Sequence, residues 1–147
     1  MMEKTLAIIK PDAVERRLIG KIVKEIEVDF GFRIVDMKMV YLNRKQAEYF
    51  YREHADKQFF GRLLNFMSSG PSVFLVLEKK NAISDWRKTM GPTKIEEAQF
   101  DPHSIRGKYG RLMRPLHENV VHGSDSPESA VRELTLFYDD LFYWRGS

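Results

Sequence analysis

The sequence predicts a single α+β domain over residues 1–147, an antiparallel sheet with helices packed on one of its faces. Three observations carry that expectation. Residues 5–9 and 73–77 are short apolar runs, the length of buried central strands and too short for buried helices. Around them apolar residues recur three and four apart, as in Ile22, Val23, Ile26 and Phe30, which is helical spacing. And a chain of 147 residues is long enough to bury one core of its own, without signs of a repeat or second domain.

Taken in order, the strand at 5–9 stops at Lys10-Pro11-Asp12, where Asp12 and Glu15 have the spacing of a capping box and predict a short helix. The Ile22–Phe30 periodicity predicts a second helix, closed by Gly31. Residues 33–42 alternate, with Ile34, Met37, Met39 and Tyr41 apolar, and predict a strand. Helices are expected at 43–54 and 58–67, the latter ended by Ser69-Gly70-Pro71. After the strand at 73–77, Asn81 is placed to cap a helix that Gly91-Pro92 ends. Residues 93–115 lack periodicity and read as a long functional connection with one short helix near 101–109. Val120 and Val121 then predict a short strand, and Ser126-Pro127 the cap and first turn of a last helix with Ala130, Val131, Leu134 and Tyr138 on its apolar side. Reduced to its main parts, this is the β-α-β-β-α-β order of the ferredoxin-like layout with added helices.

Composition narrows the function. Charged residues make up 31% of the chain and the net charge is +3, with bases and acids interspersed as in K-I-V-K-E-I-E, so these read as solvated helix faces and not as a dedicated nucleic-acid site. No cysteine is present, which excludes disulfides and thiol chemistry. Apolar runs are too short for a membrane span or a signal peptide, so a cytoplasmic protein is expected. Neither G-x-x-x-x-G-K-[ST] nor G-x-G-x-x-G occurs, so any nucleotide phosphate must be held by side chains and a helix N-terminus.

The stretch E-N-V-V-H-G-S-D-S-P-E-S-A-V-R-E, residues 118–133, concentrates the chemistry. His122 falls at a strand end, Gly123 lets the backbone bend, and the helix behind it offers unpaired N–H groups to an anion. Glu133 lies about two turns along that helix, beside its apolar stripe. A carboxylate on one imidazole nitrogen fixes the tautomer and leaves the other nitrogen free to attack. On spacing alone, a structural His–Glu pair and a nucleophile with its orienting carboxylate stand level.

N-V-V-H-G-S-D-S-P-E-S-A closely resembles the active-site signature of nucleoside diphosphate kinases, and T-L-A-I-I-K-P-D-A-V resembles that family's first strand. The similarity extends from Lys4 to about Tyr138. It implies the ferredoxin-like fold and transfer of the γ-phosphate of a nucleoside triphosphate, typically ATP, to nucleoside diphosphates through a phosphohistidine at His122. It further implies Lys10, Arg87, Thr93 and Arg106 as phosphate contacts, Phe59 as the base-stacking ring, Leu63 as a wall of the base pocket and Asn119 as the ribose contact. Tyr51 would stand near the histidine, and Ser124 would bridge Glu133 and the nucleotide. Mg2+ would arrive on the nucleotide phosphates, since no Asp/Glu cluster predicts a protein-held cage. Broad base specificity follows from stacking, because every base has a π-face.

Read singly, these residues have plainer meanings. Lys10 is a strand terminator, Arg87 a cation near a helix end, Arg106 a surface arginine, Ser124 a turn residue, and Phe59-Phe60 a core pair. His54, His103 and His117 show no ligand spacing and read as surface or loop histidines. The chain also departs from the family pattern: Gln58 stands where proline is common, His117-Glu118 replaces Gly-Arg, and the stretches around Arg106 are longer. A homo-oligomer is the family expectation, although that loop and the short tail after Tyr138 bear on it. The competing expectation is a non-catalytic RNA-binding module, which shares the β-α-β-β-α-β order but whose signature K/R-G-F/Y-G/A-F-V-x-F/Y is not found here.

Overall fold

A computed structural model describes residues 2–139; the rest of the tail discussed above lies outside the described residues. Strand β1 (Met2–Ile9) leads into helices α1 (Pro11–Glu15) and α2 (Ile19–Lys24), whose last turn widens into a π-helix (Glu25–Asp29). Strand β2 (Arg33–Val40) follows, then α3 (Arg44–Phe50), a 3-10 turn (Arg52–His54) and α4 (Phe60–Met67). The chain continues through β3 (Ser72–Lys80), α5 (Ala82–Met90), α6 (Ile95–Ala98), α7 (Ile105–Tyr109), β4 (Val121–Gly123) and α8 (Pro127–Phe137). The strands form one antiparallel sheet in the order β2-β3-β1-β4, the ferredoxin-like arrangement.

Helices cover both faces of this sheet, not one. Alternation along a strand sends successive side chains to opposite faces, and here both sets are apolar. Ala7, Ile9, Val73, Leu75 and Leu77 pack with α1, α2 and α5 around Ile22, Ile26 and Trp86. Leu6, Ile8, Phe74 and Val76 pack on the other side with α3, α4 and α8 around Phe50, Leu64, Met67 and Phe137. The unbroken apolar runs at 5–9 and 73–77 are therefore strands buried on both sides. A sheet so covered leaves neither face open for the stacked bases of an RNA-binding module. On the edge strand β2, the register shifts between Ile34 and Asp36, and Met37 and Met39 are exposed.

Several local expectations change in tertiary context. Asp12 does not cap α1; its Oδ2 accepts from Val120 N at 3.1 Å. Asn81 sits in the left-handed region at φ 56°, and the first turn of α5 is instead bonded by Glu3, whose Oε1 accepts from Ile83 N at 2.9 Å. The 93–115 connection holds two short helices, α6 and α7, where one was expected. The capping box that forms is Asn43 with Gln46, and Ser126 caps α8 as predicted, with Pro127 in the first turn.

α8 is also rotated from its expected face. Val131 and Tyr138 are exposed, while Ala130, Glu133, Leu136 and Phe137 are buried. The spacing of three and four between these positions defines one stripe, and it puts Glu133 at its centre. A carboxylate in a buried stripe needs hydrogen-bond partners, and β4 supplies them.

Candidate active site

His122 lies opposite Ile8 in the β1–β4 ladder and so faces the α3–α4–α8 side. The chain reaches it through a strained approach. Val120, a β-branched residue, has φ 77°, and Val121 N donates back to Asn119 O over 2.9 Å, a γ-turn. The strain is held from both sides, because Val120 N donates to Asp12 and Val120 O accepts from Lys10 N. Gly123 does not bend the backbone, as its φ lies outside the positive range; a Cβ there would come within 2.4 Å of Trp86 Cδ1. Glycine lets the edge of the indole come up against β4, and Trp86 Nε1 donates to His122 O at 3.1 Å.

His122 Nε2 and Glu133 Oε1 are 2.9 Å apart, with the two side chains 16% and 6% exposed. Ser124 Oγ donates to the same carboxylate oxygen at 3.0 Å and accepts from Leu6 N. With Nε2–H directed at a carboxylate, the lone pair lies on Nδ1. The rings of Phe50 and Tyr51 stand edge-on to the imidazole at 5.7 and 6.0 Å. Burial, then the charge of Glu133, pushes the Tyr51 phenol well up, so it remains a neutral donor.

The imidazole opens into a cavity of about 380 Å3 that Lys10, Tyr51, Phe59, Leu63, Arg87, Thr93, Arg106 and Asn119 also line. Glu133 and Ser124 stand behind His122. Three cations, Lys10, Arg87 and Arg106, face this space against one carboxylate, Asp125, which pairs with Arg87. Such a balance favours an anion. A larger groove of about 510 Å3 lies on the far side of Phe59 and His117, but Asp12, Glu15 and Glu118 outnumber its Arg62 and make it unsuited to phosphate.

The two buried cations differ from the exposed one. Lys10 Nζ donates to Asn119 Oδ1 at 2.7 Å and His117 O at 3.3 Å. Burial, then Arg106, lowers its pKa to about 7, with Asp12 opposing. Arg106 donates Nε to Asn119 O, Nη1 to Gly91 O and Nη2 to Val121 O, so its guanidinium ties together the segments that frame the cavity. Its pKa falls to about 10 through burial and Arg87, leaving it charged at neutral pH. It is no ordinary surface arginine. Asn119 is 2% exposed, and its Nδ2 donates to Thr93 O.

The expected anion address is built differently. Ser126, Pro127 and Glu128, which open α8, do not line the cavity, and Ser126 Oγ accepts from Ser129 N. Side-chain cations take that role. Sequence reasoning also missed His54 and His117, which line the cavity and flank Phe59 at ring-centroid distances of 6.0 and 4.6 Å. The only signal was the His117-Glu118 departure from the family pattern. Burial, then Lys10 and His54, holds the His117 pKa down at about 4. Among the described residues, no group of three or more His, Asp or Glu gathers as a metal site.

A carboxylate-held imidazole faces a cationic cavity on a ferredoxin-like sheet, an arrangement suited to an anionic substrate. The nucleoside diphosphate kinase family model matches residues 3–141. The nucleoside diphosphate kinase of Geobacter sp. (strain M21) is 51% identical over 140 residues, covering 95% of this chain and 98% of that protein. That of Methanocaldococcus jannaschii is 49% identical over 144 residues, covering 97% and 99%. A crystal structure of the Aquifex aeolicus nucleoside diphosphate kinase superposes with a TM-score of 0.88 at 41% identity, covering 97% of this chain and 99% of that one. This chain belongs to the nucleoside diphosphate kinase family. No helix among the described residues is long and apolar enough to cross a membrane.

Proposed function

We propose that this chain transfers the γ-phosphoryl group of ATP and other nucleoside triphosphates to nucleoside diphosphates by a ping-pong route through His122. The observation that carries the reading is the His122 Nε2–Glu133 Oε1 contact of 2.9 Å, which leaves Nδ1 as the nucleophile beside three cations. Nδ1 attacks the γ-phosphorus, the bond to the β,γ-bridging oxygen breaks, and the diphosphate leaves. A β-phosphate oxygen of the second diphosphate then attacks the phosphohistidine, and the P–N bond breaks. Phosphoryl transfer asks mainly for positioning and charge. Lys10, Arg87 and Arg106 supply that charge, with Thr93 at the phosphates and Tyr51 beside the imidazole. Asn119, which accepts from Lys10, serves the ribose, and Ser124, buried behind the histidine and clear of the cavity, steadies Glu133 and does not reach the nucleotide as the family resemblance implied.

Phe59 and Leu63 receive the base, by stacking and not by edge reading, so broad base specificity follows. Mg2+ enters as part of the nucleotide substrate, since it favours phosphate oxygens and retains waters. The exposed Met37, Met39 and Tyr41 on and just beyond edge strand β2 suit pairing with a second copy, and we place the working form as a cytoplasmic homo-oligomer.

The test is the intermediate. Incubation with γ-labelled ATP and Mg2+, without acceptor, leaves acid-labile, base-stable label on the protein. Any nucleoside diphosphate then discharges it into a triphosphate. His122→Ala abolishes both. Label that persists in that variant, or that no diphosphate collects, rules out the mechanism.

A further inference from the structure

Arg132 has no part in the mechanism above, yet it lies directly behind it. On α8 it precedes Glu133, and its side chain is only 19% exposed. Glu133 uses Oε1 for both His122 and Ser124. Its other oxygen, Oε2, lies 3.8 Å from Arg132 Nη2. Arg132 is itself anchored: Nε donates to Glu53 Oε1 at 2.8 Å, and its guanidinium carbon sits 5.9 Å from the Phe50 ring centroid. Phe50 is the ring that stands edge-on to His122, and Glu53 belongs to the 3-10 turn that follows Tyr51. One guanidinium therefore meets both the carboxylate and an aromatic ring that contact His122.

A solvating surface arginine would keep its nitrogens in water. Here Nη1 is buried without a hydrogen-bond partner, a cost that a free guanidinium would avoid by turning outward. The side chain is held inward by Glu53, Phe50 and Glu133 together. A carboxylate with one oxygen bonded can still swing about its last torsion, which is broad and soft. A cation on the second oxygen removes that freedom.

We infer that Arg132 is a positioning residue: braced by Glu53, it holds the Glu133 carboxylate so that Oε1 stays on His122 Nε2 and Nδ1 faces the phosphate. The inference rests on His122 as the phosphoryl acceptor. Arg132 acts on turnover through Glu133 alone and makes no contact with nucleotide.

Steady-state kinetics on the full chain test it, with Arg132→Gln and Arg132→Lys made both in the natural sequence and in Glu133→Gln. The geometry predicts a three- to tenfold loss of kcat in Arg132→Gln with KM unchanged, because an ion pair at 3.8 Å, beyond hydrogen-bond range, steadies the carboxylate through charge alone. Arg132→Lys keeps at least half of kcat, because the charge remains. In the Glu133→Gln background, Arg132→Gln changes kcat by less than twofold, since the carboxylate it braces is gone. Nitrogen NMR of His122 gives a readout independent of turnover: a single Nε2–H tautomer in the natural protein, a mixture in Arg132→Gln. If Arg132→Gln does not fold, judged by its melting curve, Glu53→Gln loosens the same brace from its far end and is expected to lower kcat two- to threefold. A kcat within twofold of the natural protein in Arg132→Gln, or an unchanged kcat in Glu53→Gln where that variant stands in for it, overturns the inference. So does an equal loss in both backgrounds, or a lysine variant no better than glutamine. A natural protein that forms no phosphohistidine refutes the proposed function instead, while the tautomer measurement still decides on Arg132.

Discussion

Lys10 Nζ donates to Asn119 Oδ1 across 2.7 Å, and the two residues are 6% and 2% exposed. An ammonium so enclosed, with the Arg106 guanidinium nearby, is held at a pKa of about 7, far below the usual 10.5. A polyphosphate in the cavity reverses the balance, because negative oxygens favour the charged lysine. Binding above pH 7 therefore takes up a proton. Affinity is greatest below about pH 7, where Lys10 is already charged, and falls as pH rises, by up to about tenfold per unit. Titration calorimetry of ADP at pH 8, in two buffers of different ionisation enthalpy, reads the uptake directly. Equal heats in both buffers would show that Lys10 does not respond to the ligand.

The two arginines of the cavity are expected to part company on mutation. Arg87 is 48% exposed at its side chain and pairs with the exposed Asp125, so its removal leaves the fold intact. Arg106 instead satisfies three backbone carbonyls, those of Gly91, Asn119 and Val121. Buried acceptors left unpaired cost roughly 1–3 kcal/mol each. Arg87→Ala should lower turnover by tenfold or more, on the order of a lost charge at a transferring phosphoryl group, with Tm nearly unchanged. Arg106→Ala should lower Tm by about 5 °C or more as well as turnover. Melting curves of the two variants that coincide would count against the scaffold role of Arg106.

That contrast shows what was legible in the sequence. The apolar runs, Gly31 and the Ser126-Pro127 cap are local signals, and each stands where the sequence predicted it. Of the residues that the family resemblance named for the site, all but Glu133 and Ser124 line one cavity, and those two stand behind His122. What local patterns lack is the competing partner. Asp12 looks like a cap until the strained Val120 offers a buried N–H. Gly123 looks like a hinge until Trp86 packs on it. Arg106 looks like a surface charge until carbonyls from two segments, Gly91 and 119–121, converge on its guanidinium. Coverage of both sheet faces is equally non-local, since it depends on which helices cross to which side.

His117 gives a prediction on stability. Its ring is half-buried against Phe59, and burial together with Lys10 and His54 holds it at about 4 in the folded chain, against an unfolded value of 6.5. The folded value is the lower one, so above pH 6.5 both states are neutral and nothing is lost. As pH falls from 6.5 towards 4, the unfolded chain gains the proton first and stability declines. Solvent screening at a half-exposed ring keeps the effect modest. His117→Asn should flatten the fall of Tm between pH 6.5 and 4 relative to the natural protein. Parallel Tm profiles would mean that the imidazole is not disfavoured as a cation in the fold.

Phe59 supplies the last test, because it separates a stacking platform from a core residue. Its ring is half-buried, lines the cavity, and is flanked by the rings of His117 and His54. Stacking of a base on an aromatic ring contributes about 1–3 kcal/mol and depends little on base identity. Phe59→Ala should therefore reduce kcat/KM for ADP, GDP, CDP and UDP by similar factors, roughly 5- to 150-fold, each 1.4 kcal/mol being about tenfold. The loss should appear mainly in KM, since a base far from the transferred phosphorus is bound equally in ground and transition states. Phe59→Trp should retain binding, as it keeps a π-face. Ribose 5-diphosphate, which has no base, is the control: it should be a poor acceptor whose kcat/KM is the same for Phe59→Ala and the natural protein. An equal loss with that acceptor would make Phe59 a packing residue whose removal disturbs the site as a whole. A loss confined to one base would replace stacking with edge recognition, for which His117, 4.6 Å away, is the adjoining polar ring.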